Sequence, residues 1–244
     1  MKALVIGAGK GIGKALVSVL LANGAEVCAV SRNVTGLQQM EKCHLYRADI
    51  SSELDIMGLI TYLQTSGFLP DVVYLNAGVY DDADLSQYDT KFVVQNIDTN
   101  FRGISLAIFA LLNYLPGNHA CQFVFSSSVM SLFPFAGNAI YSANKAGVNH
   151  LLKALSNTGD FKDRYSFKIV YLGPVETGIN KKQTYKGVQR ESAESAAAFL
   201  YGVINRQGGE FYFPFKAKLF RLANLLLPQF IFRFLLSKIA GGKV

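Results

Sequence analysis

The chain has no tryptophan, six prolines, three cysteines and three histidines among its 244 residues. Cys28, Cys43 and Cys121 are odd in number and lack metal-ligand spacing, which argues against a disulfide framework and for a reducing compartment. His44, His119 and His150 are scattered and add no metal site. Acidic residues are also few, 17 against 24 Lys and Arg, leaving a net charge of +7. Six of those cations, Lys216, Lys218, Arg221, Arg233, Lys238 and Lys243, lie after Phe211, where no acid occurs, so the body of the chain is close to neutral. With no basic stripe on the body and no motif of the usual kinds, a nucleic-acid partner is not expected. Long hydrophobic runs are missing too: the apolar stretch at the start, Ala3 to Ile6, is only four residues long, too short for a signal peptide. It reads as a strand, and the expected location is the cytoplasm.

Half of the residues are hydrophobic and 17% are charged, so the chain can bury a substantial core as one domain. Short apolar runs suited to buried parallel strands recur at Ala3 to Ile6, Glu26 to Val30, Val72 to Leu75, Gln122 to Phe125 and Lys168 to Tyr171, with a further strand ending before Asp49. Helical periodicity fills the intervals, as in Lys14 to Ala22, which Asn23-Gly24 closes. Strands alternating with helices predict right-handed crossovers and an α/β, Rossmann-like doubly wound parallel sheet. The domain is expected to run over residues 1–214, with a basic amphipathic helical tail over 215–244.

Directly after the first strand stands GAGKGIGK, Gly7 to Lys14. A mononucleotide phosphate loop needs a glycine where Ala8 stands and a hydroxyl where Ala15 stands, so that reading fails twice. The tighter dinucleotide pattern G-x-G-x-x-G fails as well, since its sixth place holds Ile12 or Leu16. What fits is G-x-x-x-G-x-G, with Gly7, Gly11 and Gly13 shaping a wider turn whose Gly9, Lys10 and Ile12 lie between strand and helix. The amides opening that helix would face a pyrophosphate.

Ligands of such sheets lie at the carboxyl ends of the strands. After the second strand come Ser31 and Arg32, where an acid would accept from a ribose 2′-hydroxyl and a cation would accommodate a 2′-phosphate. Ser31 is neutral, Arg32 is positive and Lys10 adds a nearby cation, so NADP (NADPH) is favoured over NAD. Asp49 and Ile50, Asn76 to Gly78, and Ser126 to Ser128 cap the following strands; each alone is an ordinary turn.

Tyr141 and Lys145 are four residues apart, so a helix places both on one face. A nearby ammonium would lower the phenol pKa and make Tyr141 a general acid or base near neutrality. The same spacing recurs at Tyr212 and Lys216, but Pro214 lies between them and no hydroxyl stands thirteen residues before, at Phe199. Thirteen before Tyr141 is Ser128.

Together these motifs resemble the short-chain dehydrogenase/reductase family over nearly all of residues 1 to 213. The family's glycine pattern matches Gly7, Gly11 and Gly13, its N-A-G strand cap Asn76, Ala77 and Gly78, its catalytic trio Ser128, Tyr141 and Lys145, and its N-x-x-G asparagine Asn100. The resemblance implies hydride transfer between nicotinamide C4 and a carbonyl or carbinol carbon, with Tyr141 exchanging the proton and Ser128 orienting the substrate oxygen. It assigns Lys145 to the nicotinamide ribose and to lowering the Tyr141 pKa, and Asn100 to a water linking the lysine to solvent. Three departures stand out: Ile6 replaces a threonine, Leu172-Gly173 replaces Pro-Gly, and the triple serine leaves Ser127 as an alternative register. Val175 and Thr177 are the candidates for contacts to the carboxamide. A cofactor-binding redox sensor or regulator, and an extended-branch epimerase, are the competing readings.

The expected partners are a small-molecule carbonyl or alcohol substrate and further copies of the chain, as a homo-oligomer. The substrate segment Gly178 to Arg190 carries Lys181, Lys182, Lys186 and Arg190, which would attract an anion or simply be solvated. Tyr80, Leu132, Phe133, Phe135 and Tyr185 are candidate apolar lining, or equally core or subunit interface. In the tail, Arg221 centres one helical face beside Lys218 and Asn224, while Leu219, Leu222, Ala223 and Leu226 gather opposite and Phe220 and Leu227 lie at the edge. Two readings stay open: the apolar face packs on the domain or a neighbouring subunit, or it lies in a membrane surface. Peripheral association with anionic vesicles is expected.

Overall fold

In the computed structural model, which describes residues 1–37, 42–80, 89–133, 138–177, 190–228, 230–232 and 234, the alternating runs form one parallel sheet. Its strands are β1 (Lys2–Ile6), β2 (Glu26–Ser31), β3 (Cys43–Arg47), β4 (Val72–Leu75), β5 (Cys121–Ser128), β6 (Tyr165–Leu172) and β7 (Glu210–Phe213), in the order β3-β2-β1-β4-β5-β6-β7. The helices are α1 (Gly11–Ala22), α2 (Glu53–Ser66), α3 (Thr90–Ile97), α4 (Ile104–Tyr114), α5 (Ala139–Ser156), the short α6 (Gly159–Lys162), α7 (Ala193–Val203) and α8 (Phe215–Leu226).

The expected runs are all present, but β5 and β6 are longer than apolarity alone indicates. Ser126, Ser127 and Ser128 stay in register with Val170, Tyr171 and Leu172, because ladder hydrogen bonds do not depend on side-chain polarity. Strand β7 escapes the sequence reading, since its four residues lie between Gly208-Gly209 and Pro214 and too few remain to show a period. Helix α1 begins at Gly11, three residues earlier than its apolar pattern.

Two apolar layers sandwich the sheet. One packs Leu16, Val17 and Leu20 of α1 and Leu200 and Val203 of α7 against Ala3, Val5, Val27 and Ala29. The other sets Leu59 and Leu63 of α2, Ile104, Ile108 and Leu111 of α4, and Val148 and Leu152 of α5 against Leu4, Ile6, Phe123 and Phe125. Strand order reverses between β1 and β4, and the crevice at their carboxyl ends is where such a sheet holds its ligand.

The tail corrects the sequence reading most. Helix α8 follows Pro214 and packs with the side that carries its polar residues inward: Asn224 Nδ2 donates to the Leu132 carbonyl at 3.1 Å, and Arg221 hydrogen-bonds Tyr212 near Glu210. Ala217 is buried, and Phe220 joins Phe232 against Phe133 at ring separations of 5.3 to 5.5 Å. Leu219, Leu222 and Leu226 are exposed, so among the described residues that face points away from the domain. The reason lies in what the domain offers there: a carboxylate, a phenol and the Leu132 carbonyl at the end of a 3₁₀ turn, which suit Arg221 and Asn224 better than leucine. Among the described residues no helix is long and apolar enough to cross a membrane.

Candidate active site

One cleft runs over the carboxyl ends of β1, β2, β4, β5 and β6, and most of the expected residues line it: Gly7 and Gly9 to Ile12, Ser31 and Arg32, Asp49 and Ile50, Asn76 to Gly78, Ser128, Tyr141, Lys145, Val175 and Thr177. Gly13 and Asn100 sit immediately behind its wall.

The glycine loop is dictated by backbone proximity. Gly7 has φ +94°, and a Cβ there would run into the Ala77 backbone amide. A Cβ on Gly13 would collide with the Gly7 carbonyl, so the first turn of α1 can close onto β1 only through glycine. Asn76 Nδ2 ties the same carbonyl at 3.2 Å, linking the β1 and β4 caps. The N-terminus of α1 has no side-chain cap and no acid in its first turn, which leaves its opening amides available to an anion. Thr177 lies 3.2 Å from where a Gly11 Cβ would stand, bringing the segment after β6 over the loop. At the β2 end, Arg32 Nη1 lies 3.7 Å from Asp49 Oδ2 with about half its side chain exposed, so it is steered along the cleft rim.

Three hydroxyl and amine groups meet at the other end. Tyr141 in the first turn of α5 hydrogen-bonds Ser128 at the end of β5. Strand alternation turns the Ser127 side chain to the other face from Ser128, its Oγ 3.2 Å from Ser131 Oγ. Lys145 Nζ donates to the Ser126 carbonyl at 2.9 Å and sits 4.6 Å from the Phe125 ring centre and 5.8 Å from that of Tyr141. Tyr80 packs edge-on to Tyr141 at 4.9 Å and is held by Asn138 Nδ2 at 2.8 Å.

The electrostatics depart from expectation. Burial pushes the Tyr141 phenol up to about 12, with the Ser128 hydrogen bond pulling only partly against it. Burial likewise pushes Lys145 down to about 7. Desolvation is the largest cause for both groups, and Lys145 Nζ donates to the Ser126 carbonyl.

Asn100 stands behind the β4 cap, its Oδ1 3.0 Å from where a Gly78 Cβ would stand. Its side chain is 0% exposed and bonded at both polar atoms: Oδ1 accepts from Val79 N at 2.9 Å, and Nδ2 donates to Val79 O at 2.8 Å and Asn96 Oδ1 at 2.7 Å. It fixes the loop after β4 that carries Gly78 and Val79. It lies within a π-helical turn, Asp98–Gly103, between α3 and α4, an irregularity that recurs at functional sites. Sequence reasoning missed Asn96 and Asn144, which share this network through an Asn144 Nδ2 to Asn96 Oδ1 bond of 3.0 Å. The available signal was Asn96 four residues before Asn100, a polar pair on one helical face.

The short chain dehydrogenase family model matches residues 1–186, which takes in the glycine loop, Ser128, Tyr141 and Lys145. The chain belongs to the short-chain dehydrogenase/reductase family. It is 24% identical to an uncharacterized oxidoreductase of Listeria monocytogenes over 82% of this chain and 84% of that one. It is 29% identical to 2-(R)-hydroxypropyl-CoM dehydrogenase of Xanthobacter autotrophicus over 63% of this chain and 66% of that one. In fold it resembles a short chain dehydrogenase from Burkholderia cenocepacia in complex with NADP, with a TM-score of 0.83 at 18% identity over 96% and 97% of the two chains. It also resembles a 3-ketoacyl-(acyl-carrier-protein) reductase from Brucella melitensis complexed with NADH, with a TM-score of 0.78 at 20% identity over 87% and 96%.

Within this oxidoreductase family the cleft fits a dinucleotide: a glycine cradle and uncapped helix end for two phosphates, cations at the β2 rim, and paired hydroxyls at the far end. Of the apolar lining candidates, Tyr80 faces the cleft, whereas Phe133 packs against the tail and Leu132 against the core. Phe135, Tyr185 and residues 178–189 of the substrate segment, Lys181, Lys182 and Lys186 included, lie outside the described residues.

Proposed function

We propose that the chain is an NADP(H)-dependent oxidoreductase acting on a small carbonyl or alcohol, with Tyr141 as the proton-exchanging residue. The observation that carries this reading is the Tyr141–Ser128 hydroxyl pair in the same cleft as the uncapped α1 end, with Lys145 one helical turn from Tyr141. When bound, the nicotinamide supplies or accepts the hydride. Ser128 and Tyr141 then donate hydrogen bonds to the substrate oxygen, where negative charge grows during reduction. With its phenol protonated at neutral pH, Tyr141 is the group placed to donate a proton to the substrate oxygen in carbonyl reduction. Lys145, buried and 2.9 Å from the Ser126 carbonyl, fixes the floor of the site beside the nicotinamide ribose.

The loop amides of Gly9, Lys10, Gly11 and Ile12 would hold the pyrophosphate, while Arg32 and Lys10 would hold a 2′-phosphate beside Ser31. Asp49 and Ile50 border the adenosine, and Val175 and Thr177 meet the carboxamide. The NADP complex of the Burkholderia cenocepacia relative supports the choice of cofactor. Val94, Ile97, Phe101 and Phe109 are exposed along α3 and α4, which supports self-association through that edge.

The test is turnover of NADPH with a panel of ketones, aldehydes, quinones and 3-oxoacyl compounds, using Tyr141→Phe and Tyr212→Phe. Tyr212 lies in β7, stacked on Tyr171 at 5.0 Å and away from the cleft. Tyr141→Phe is expected to keep cofactor binding and lose about 10²- to 10⁴-fold in rate, with Tyr212→Phe near the parent rate. Equal losses in both, or no turnover of any carbonyl by the parent, would overturn the proposal, the latter in favour of a cofactor-binding regulator.

A further inference from the structure

Helix α8 presents an apolar surface outward between two cations. At about 100° per residue, Phe215, Leu219, Leu222 and Leu226 form one narrow stripe, directly opposite Ala217 and Asn224. The four stripe residues are 70%, 53%, 43% and 77% exposed, although they are the kind that a domain normally buries. Lys216 and Lys218, both exposed, flank the stripe on its two sides. Beyond Pro228 the surface continues with Phe230 and Phe234 exposed, while Phe232 turns in against Phe133 and Phe220. The inward side is already filled by Ala217, Phe220, Arg221 and Asn224, so among the described residues the stripe faces away from its own domain.

We propose that this outward face of α8 is a docking surface for an anionic lipid bilayer. Charge selects that occupant. From Phe211 to the last residue there are six Lys and Arg and no acid. Two copies of the chain meeting through this face would set Lys216 and Lys218 against the same lysines, with no carboxylate in the segment to meet them. Anionic headgroups supply the missing charge: the stripe enters the acyl boundary by about 5–10 Å, and the flanking lysines extend to the phosphates. The polar anchors Arg221 and Asn224 hold the helix on the domain while its leucines are in lipid, so binding needs no refolding.

The experiment is co-sedimentation of the full-length protein with phosphatidylcholine vesicles with and without phosphatidylglycerol, at low and high salt. Two variants accompany it: Leu219→Ser/Leu222→Ser/Leu226→Ser, and Lys216→Glu/Lys218→Glu. All five positions are exposed, so thermal melting and cofactor binding should match the parent and certify the fold. The parent is expected to pellet with the anionic vesicles and much less with neutral ones, and to be released by salt as charges are screened. Each variant is expected to lose tenfold or more in the bound-to-free ratio. A parent that stays in the supernatant with anionic vesicles at low salt overturns the proposal, as does pelleting that the serine variant leaves unchanged. If the parent does not bind vesicles and the serine variant lowers the molecular mass by light scattering, the face joins copies of the chain instead.

Discussion

Helices α1 and α8 are each twelve residues long and each carry an apolar stripe, but α1 buries its stripe and α8 exposes its own. The difference comes from what lies beneath them. Under α1 the sheet offers Ala3, Val5, Val27 and Ala29, so Leu16, Val17 and Leu20 pack there. Under α8 lie Glu210, Tyr212 and the Leu132 carbonyl, which accept Arg221 and Asn224. An amphipathic pattern thus states that a helix has two faces and leaves to its neighbours which one turns in. Both helices start without a side-chain cap, but only the α1 end opens into the cleft.

The largest effect should come from exchanging equivalent leucines between the two helices. Leu20→Ala in α1 removes a fully buried side chain and should cost about 2–5 kcal/mol by urea denaturation. Leu222→Ala in α8 should stay within about 0.5 kcal/mol, because an exposed leucine loses little on truncation. Comparable losses at both positions would mean that the α8 stripe is covered in the protein as it exists in solution.

The two cations held at functional places give the next contrast. Lys145 is pushed down to about 7 by burial, so between that value and its ordinary 10.5 the unfolded chain binds more protons than the folded one. Stability should therefore rise with pH across that window, by at most about 1.4 kcal/mol per unit, and be lost as pH falls toward 7. The raised Tyr141 pKa works oppositely but only above pH 10. Lys145→Met should flatten the rise between pH 7 and 9.5, measured as the denaturant midpoint, whereas Arg221→Met should leave its slope intact. An equal slope in Lys145→Met would show that the lysine stays charged.

Smaller again is the cofactor effect at the β2 rim of the cleft. Arg32→Ala should weaken NADPH binding about 10- to 100-fold, in line with loss of a charge-assisted hydrogen bond, and leave NADH unchanged. Fluorescence titration decides it: equal losses for both cofactors would place Arg32 at the pyrophosphate or in structure alone.

The sequence was most legible where backbone sterics or hydrogen-bond chemistry leaves one residue type. Gly7 and Gly13 could be read because no other side chain fits against Ala77 and Gly7, and Tyr141 and Lys145 because four residues bring them onto one face. The sheet could be read from its apolar runs, except β7, which is too short for a period. What was not legible depends on burial and partners in space. The raised phenol, the depressed lysine and the engaged Asn100 amide follow from desolvation and from Val79 and Asn96, none of which spacing reveals. The direction of the α8 stripe was hidden for the same reason.

The smallest expected effect tests how α8 keeps its polar side inward. Asn224 Nδ2 reaches the Leu132 carbonyl at 3.1 Å, while the Phe133, Phe220 and Phe232 rings close the same junction. A neutral hydrogen bond contributes about 0.5–1.5 kcal/mol, so Asn224→Ala should leave the global denaturation midpoint nearly unchanged, because α8 lies outside the two main core layers. Local opening should change instead: amide exchange over Phe215 to Leu226 should speed up several-fold while α1 stays at the parent rate. Asn224→Leu sharpens the test, since it keeps the bulk and removes only the donor. If both variants exchange like the parent, the aromatic cluster alone holds the helix, and the inward choice of Asn224 is a consequence of that packing rather than its cause.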